Sequence, residues 1–112
     1  MQNNKYYKNY EENDKLIVGK SDINKEEFDT LVFACRDIKT ISILSNIKKI
    51  SSFAFTESSL ESIYIPSYVK EIGLFAFGEC SNLRHIEFSP NSELKIIDEF
   101  LFTESSIYHK LQ

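Results

Sequence analysis

Tryptophan is absent from this 112-residue chain, and glycine, proline, cysteine and histidine are all scarce. Each shortage removes a class of function. The three glycines, Gly19, Gly73 and Gly78, lie far apart, so no glycine-rich loop can cradle a phosphate. His85 and His109 are the only histidines, and neither falls in an H-E-x-x-H or a Ser-His-Asp pattern. No catalytic residues are therefore assigned, and the chain is not read as an enzyme. Two cysteines are too few for a disulfide framework. No apolar run approaches the roughly 20 residues that span a bilayer, so no membrane span is expected. Positive charge is not in surplus either. With 13 basic and 17 acidic side chains the net charge is −4, which argues against nucleic acid as a partner. The opening stretch MQNNKYYKNYEEND is polar throughout, with neither the apolar core nor the cleavage site of a signal peptide, and no Asn-x-Ser/Thr sequon occurs. Taken as a whole chain, it is expected in the cytoplasm or on the cytoskeleton.

What is abundant is phenylalanine, nine residues, within a hydrophobic share of 42% that suits one folded domain. The phenylalanines recur in register. Ile50, Ile72 and Ile97 stand 22 and 25 residues apart, and Phe53, Phe75 and Phe100 keep the same offsets. So do Phe55, Phe77 and Phe102, while Leu60, Leu83 and Ile107 follow five or six residues later. An earlier, more worn copy lies upstream. Ile38, Ile41, Ile43, Ile47 and Ile50 each precede Leu60, Ile63, Ile65, Val69 and Ile72 by 22 residues. Five aligned apolar positions at one period establish an internal repeat.

Each unit carries an apolar core of the form L-x-x-I-x-I: Ile38 to Ile43, Leu60 to Ile65 and Leu83 to Phe88. Its last three positions alternate with the period of a strand. Pro66 and Ser89-Pro90 close two of these strands, because proline cannot donate to a ladder. Units that each hide one apolar face stack into a parallel sheet, one strand per turn. Phe55, Phe77 and Phe102 are expected to pile into a spine opposite that sheet.

The strings IGLFAFGECSNLRHIEF and LESIYIPSYVKEI resemble the BspA-type (Treponema pallidum-like) leucine-rich repeat. FACRDIKTISI and FSPNSELKIIDEF are most similar to trichomonad versions. The resemblance covers roughly residues 28–107. It implies a leucine-rich-repeat solenoid with a parallel β-sheet on one face, one short strand per 22–25-residue turn. Its convex side would be irregular, short-strand or 3-10, with little helix. The family also implies a binding scaffold without catalytic residues or cofactors, often credited with adhesion to host cells or matrix.

Three segments are expected: a polar N-terminal tail (1–14), a degenerate first rung or cap (15–34), and a repeat array of about three turns (35–112). Asp14–Lys20 reads as a strand. Ser21-Asp22 would cap a short helix through NKEEFDTLVFA, with Glu26 and Glu27 in its first turn. The array ends where a fourth strand would begin, so its C-terminal edge is expected to pair with a partner or with a second copy.

The outward positions of the strands make the candidate partner-binding face: Thr40, Ser42, Ser62, Tyr64, His85 and Glu87, with Arg84, Lys39 and Glu61 at the rim. Tyrosine and arginine often anchor interfaces, so Tyr64, flanked by Arg84 and His85, is placed at its centre. The alternative is an ordinary solvated sheet. Phe53, Phe75 and Phe100 form either a half-buried ladder, the preferred reading, or an exposed docking stripe. Lys48, Lys70 and Lys95 form a column that could meet an acidic partner, or else a solvated charged face; Glu57, Glu79 and Glu104 form another. Cys35 and Cys80 sit at one register two turns apart, about 10 Å by strand spacing, beyond the roughly 7 Å a disulfide allows. Neither has metal-ligand spacing, so both are expected as free thiols with no metal bound. The partner is accordingly another protein or an assembly of proteins. The short array and the absent leader favour a small scaffold component; the family resemblance offers a surface or secreted adhesin as the alternative.

Overall fold

A computed structural model describes residues 7–10, 13–43 and 45–94. Seven strands are present there: β1 (Tyr7–Tyr10), β2 (Asn13–Gly19), β3 (Thr30–Ala34), β4 (Lys49–Ile50), β5 (Ser62–Ile65), β6 (Glu71–Ile72) and β7 (His85–Phe88). Among the described residues there is no helix. They form two ladders. One sheet runs β1-β2-β3-β4-β6, and β5 pairs with β7 in a second.

The second sheet is the one the alternation calls for. β5 and β7 are parallel, with Ser62 opposite His85, Ile63 opposite Ile86, Tyr64 opposite Glu87 and Ile65 opposite Phe88. Ile63 and Ile65 are buried while Tyr64 is exposed, so the period of two divides core from surface. The first L-x-x-I-x-I segment keeps its burial at Ile38 and Ile43 but forms no strand. It joins the next turn through single bonds, with the Ser59 amide donating to the Arg36 carbonyl and the Glu61 amide to the Lys39 carbonyl.

The other sheet gives each turn a second short strand. β3, β4 and β6 are parallel, and Leu31, Ile50 and Ile72 stand side by side in register. All three are buried. Between the two ladders the chain turns through a corner whose amides alternate in direction. Those of Ala54, Thr56 and Ser58 donate back to the carbonyls of Ser51, Phe53 and Phe55. Those of Phe53, Phe55 and Glu57 donate onward to Leu74, Ala76 and Gly78 in the next turn. Every backbone donor on this run thus has a partner without a regular strand. Gly73 is fixed by close approach: a β-carbon there would stand 2.3 Å from the Ser52 nitrogen.

The core threads both ladders. Phe55 and Phe77 are wholly buried and stack at 5.1 Å with ring planes 9° apart. The spine is therefore present over these two turns; Phe102 lies outside the described residues. Leu60, Leu83, Ile47, Val69 and Cys80 fill the space around it.

The N-terminal third differs from expectation twice. Residues 20–34 contain no helix; Thr30–Ala34 is strand instead. Thr30, Val32 and Phe33 favour the extended chain, and parallel pairing with β4 outweighs the capping signal at Ser21-Asp22. Asp29 shows what that signal does: it accepts from the Ser21 amide at 2.8 Å and from the Ser21 hydroxyl, closing a loop ahead of β3. The polar stretch 1–14 also holds structure. β1 pairs antiparallel with β2 from Asn13 to Gly19, and β2 pairs antiparallel with β3, so two strands cover the end of the parallel ladder. Solenoid ends need such covers. The parallel stack itself begins at β3, ahead of residue 35.

Candidate functional site

The outward row of the β5–β7 sheet carries the predicted binding residues. Tyr64, His85 and Glu87 are exposed, Ser62 is half-buried, and Arg84 is exposed just ahead of β7. Thr40 and Ser42, on the preceding turn, are exposed as well. The register fixes their neighbours. Tyr64 stands opposite Glu87, and His85 stands opposite Ser62. Arg84 enters one step earlier, its amide donating to the Glu61 carbonyl at 3.0 Å. Tyr64 is thus not flanked directly by Arg84 and His85. The alignment of Leu60–Ile65 with Leu83–Phe88 already places Tyr64 beside Glu87, because parallel strands pair residue by residue along that shared pattern. His85 Nε2 lies 3.7 Å from the Glu87 carboxylate on the same strand face.

Next to Tyr64 the sheet surface dips into a cleft of about 380 Å³ lined by Ile41, Ser42, Tyr64, Pro66, Ser67 and Tyr68 among others. Tyr68 donates its hydroxyl to the Ile43 carbonyl across the turns, bracing one wall. Partial burial, with Tyr64 close by, raises the Tyr68 pKa above its ordinary value. Tyr64 keeps 46% of its surface exposed. The outward parity of the strands points to Ser42 and Tyr64; Pro66 reads only as a strand terminator, and nothing in the spacing marks Ser67 or Tyr68.

Phe53 and Phe75 form the second aromatic column. Their rings stack at 5.4 Å, 18° from parallel, with Phe53 53% exposed and Phe75 half-buried. Both adopt positive φ, 63° and 57°, and so do Glu57 and Glu79 at 57° each. These four corner residues occupy a conformation that glycine normally takes. The column is a ladder with an open outer rung; Phe100 lies outside the described residues.

The lysine column faces carboxylates. Lys48 lies 4.0 Å from Glu27, Lys49 lies 3.7 Å from Glu71, and Lys70 pairs with Glu93. The three lysines, Glu27 and Glu71 border a cleft of about 490 Å³ together with Ser21, Asp22, Lys25 and Asp29. Partial burial alone would raise the Asp29 pKa. The hydrogen bonds from Ser21 and Thr30 together outweigh it and hold the carboxyl below its usual range. A column already neutralised in this way has little net field to offer an acidic partner. Lys95 is not among the described residues. The acidic column pairs similarly at one rung, with Glu57 2.7 Å from Arg36.

Cys80 and Cys35 are free thiols, one buried and one half-buried. The Cys80 thiol donates to the Phe55 carbonyl at 2.9 Å, and burial pushes its pKa up to about 11, away from nucleophilic reactivity. Among the described residues no cluster of His, Cys, Asp and Glu could hold a metal ion. No helix there is long and apolar enough to cross a membrane.

These ribbed surfaces, built from a repeated turn, match a known family model. The BspA type leucine-rich repeat region aligns in six copies over residues 7–111. This chain belongs to the BspA-type leucine-rich repeat family. Its solved relatives include the pneumococcal vaccine antigen PcpA, 22% identical, with a TM-score of 0.53 over 68% of this chain and 27% of that one. That likeness shows the fold, and the chain spans about a quarter of the length of PcpA. No curated protein matches. BspA-type repeats make protein-interaction modules, and this chain is one by family.

Proposed function

We propose that this BspA-type module binds another protein through the outward face of β5 and β7, as a small structural component of a larger assembly. One observation carries the reading: the face is a two-strand sheet whose outward side chains, Tyr64, His85 and Glu87, are exposed, while inward Ile63 and Ile65 are buried and Ile86 and Phe88 half-buried. Mixed aromatic and charged side chains on a rigid backbone suit recognition, since little conformational freedom is lost on binding. The lysine column is the weaker candidate, because its charges are met by neighbours.

A surface or secreted adhesin remains the second reading. It draws on the solved neighbour, described as a vaccine antigen, and on the partial length of that chain covered here. A pull-down comparing three forms tests the face. The parent chain is expected to retain a protein that an Arg84→Ala/His85→Ala double variant releases and a Lys48→Ala/Lys70→Ala double variant keeps. Equal retention by all three would remove the face from consideration. Recovery of that protein from a cytoskeletal fraction supports the scaffold role; recovery only from host-cell surface or matrix supports adhesion.

A further inference from the structure

Two clefts of the described surface have opposite chemistry. The larger is bordered almost wholly by charged side chains, among them the pairs Lys48–Glu27 and Lys49–Glu71. The smaller, beside Tyr64, has no charged residue in its lining, although 27% of the chain is charged. Its walls are two tyrosines, a proline and two isoleucines, with the hydroxyls of Ser42 and Ser67 at the rim. Tyr68 is fixed by its bond to the Ile43 carbonyl, so the cleft is braced before anything enters. The Tyr64 hydroxyl makes no such bond to the described residues and is free to donate outward.

We propose that this cleft takes an uncharged, proline-rich segment of the partner in the polyproline II conformation; the proposal rests on the reading of the β5–β7 face as an interaction surface. A charged occupant would lose hydration there and gain no counter-charge. A helical occupant brings carbonyls already bonded within the helix, leaving the hydroxyls of Ser42, Tyr64 and Ser67 without acceptors. A polyproline II segment meets both demands. Its rings pack on tyrosine faces, its carbonyls are unpaired and point outward, and its rigidity lowers the entropy lost on docking. The charged residues nearby on the same face, Arg84, His85 and Glu87, would then read the sequence flanking the proline run.

The test is an amide chemical-shift titration of the full ¹⁵N-labelled chain with a capped oligoproline peptide. A Gly/Ser peptide of equal length serves as the flexible control. Saturable shifts at Ser42, Tyr64 and Ser67, about tenfold weaker binding in Tyr64→Ala, and no response to the Gly/Ser peptide are expected. Tyr64→Phe should bind more weakly than the parent and more tightly than Tyr64→Ala, because it keeps the ring and loses the donor. Undisturbed core resonances establish that the Tyr64 variants remain folded. An absence of saturable shifts, equal binding of both peptides, or an indifferent Tyr64→Ala would each overturn the proposal. If oligoproline fails while the Arg84→Ala/His85→Ala variant still releases a captured protein, the ligand class alone falls. If that variant also behaves as the parent, the interaction face falls with it.

Discussion

Two aromatic columns run side by side through this solenoid and obey different physics. Phe55 and Phe77 are wholly buried, while Phe53 and Phe75, two positions earlier, leave Phe53 more than half exposed. Both pairs stack at similar distances, 5.1 and 5.4 Å. The difference is in the backbone. The outer pair sits at positive φ, 63° and 57°, where a bulky side chain costs roughly 1–2 kcal/mol. Stacking returns about 0.5–1.5 kcal/mol of that. The inner pair is therefore the stabilising column, and the outer pair stands near balance. One residue type at one period serves as core in one register and as an open surface two residues away.

The largest test of that contrast is at the inner column. Phe77→Ala should destabilise the chain by about 3–5 kcal/mol, measured by urea denaturation, because it removes one of the two stacked rings of the buried column. In a domain this small that is a large part of the total stability. Phe75→Ala should cost less than about 1 kcal/mol. Equal losses at the two positions would mean that the outer column is also core.

Much of this was legible from residue spacing, and the reasons divide along the same line. The buried column, the inward Ile63 and Ile65, and the parallel register all follow from a period that only stacking satisfies. The second ladder through Leu31, Ile50 and Ile72 was less visible, since a two-residue strand leaves no alternation to read. The segment at Thr30–Ala34 misled because its capping residues are genuine, yet they close a loop rather than open a helix. Tyr7–Tyr10 looked like tail because hairpin pairing leaves little mark on a short polar strand. At the candidate site, the exposed residues were legible from outward strand parity. Pro66, Ser67 and Tyr68 were not, because a cleft depends on which turns approach one another.

A second test uses Cys80, which touches the inner column through its bond to the Phe55 carbonyl. Its pKa is raised from an ordinary 9.0 to about 11 by burial. The folded state thus holds this proton more tightly than the unfolded chain does. The stability that results is fully present below pH 9 and is lost as the pH rises towards 11. The loss should reach about 2 kcal/mol. Cys80→Ser should flatten that part of the alkaline slope. The buried Ser58 fills a comparable place in the preceding turn, its hydroxyl donating to the Ile38 carbonyl, so serine is sterically acceptable. Identical slopes for parent and variant would show that the thiol ionises freely and that the inner column is wetter than its burial suggests.

A third test asks how much strain the outer column stores. Phe75→Gly removes the stacked ring but relieves the positive-φ conformation, so it should be no more destabilising than Phe75→Ala despite glycine's greater unfolded-state freedom. At Phe77, where φ is not positive, glycine should be clearly worse than alanine. Reversal of the order at Phe75 would show that the corner tolerates a β-carbon without cost.

The smallest effect is expected where side chains are most exposed. Lys49 and Glu71 flank the β4–β6 pair 3.7 Å apart and are both close to half-exposed. Water and salt screen such a pair, so a Lys49→Ala/Glu71→Ala double-mutant cycle should return less than about 0.5 kcal/mol of coupling. It should fall further in 1 M salt. A coupling above about 1 kcal/mol would mean that the charged rows hold turns together much as the buried ring stack does. Stability would then be spread across both walls of the solenoid instead of concentrated along Phe55 and Phe77.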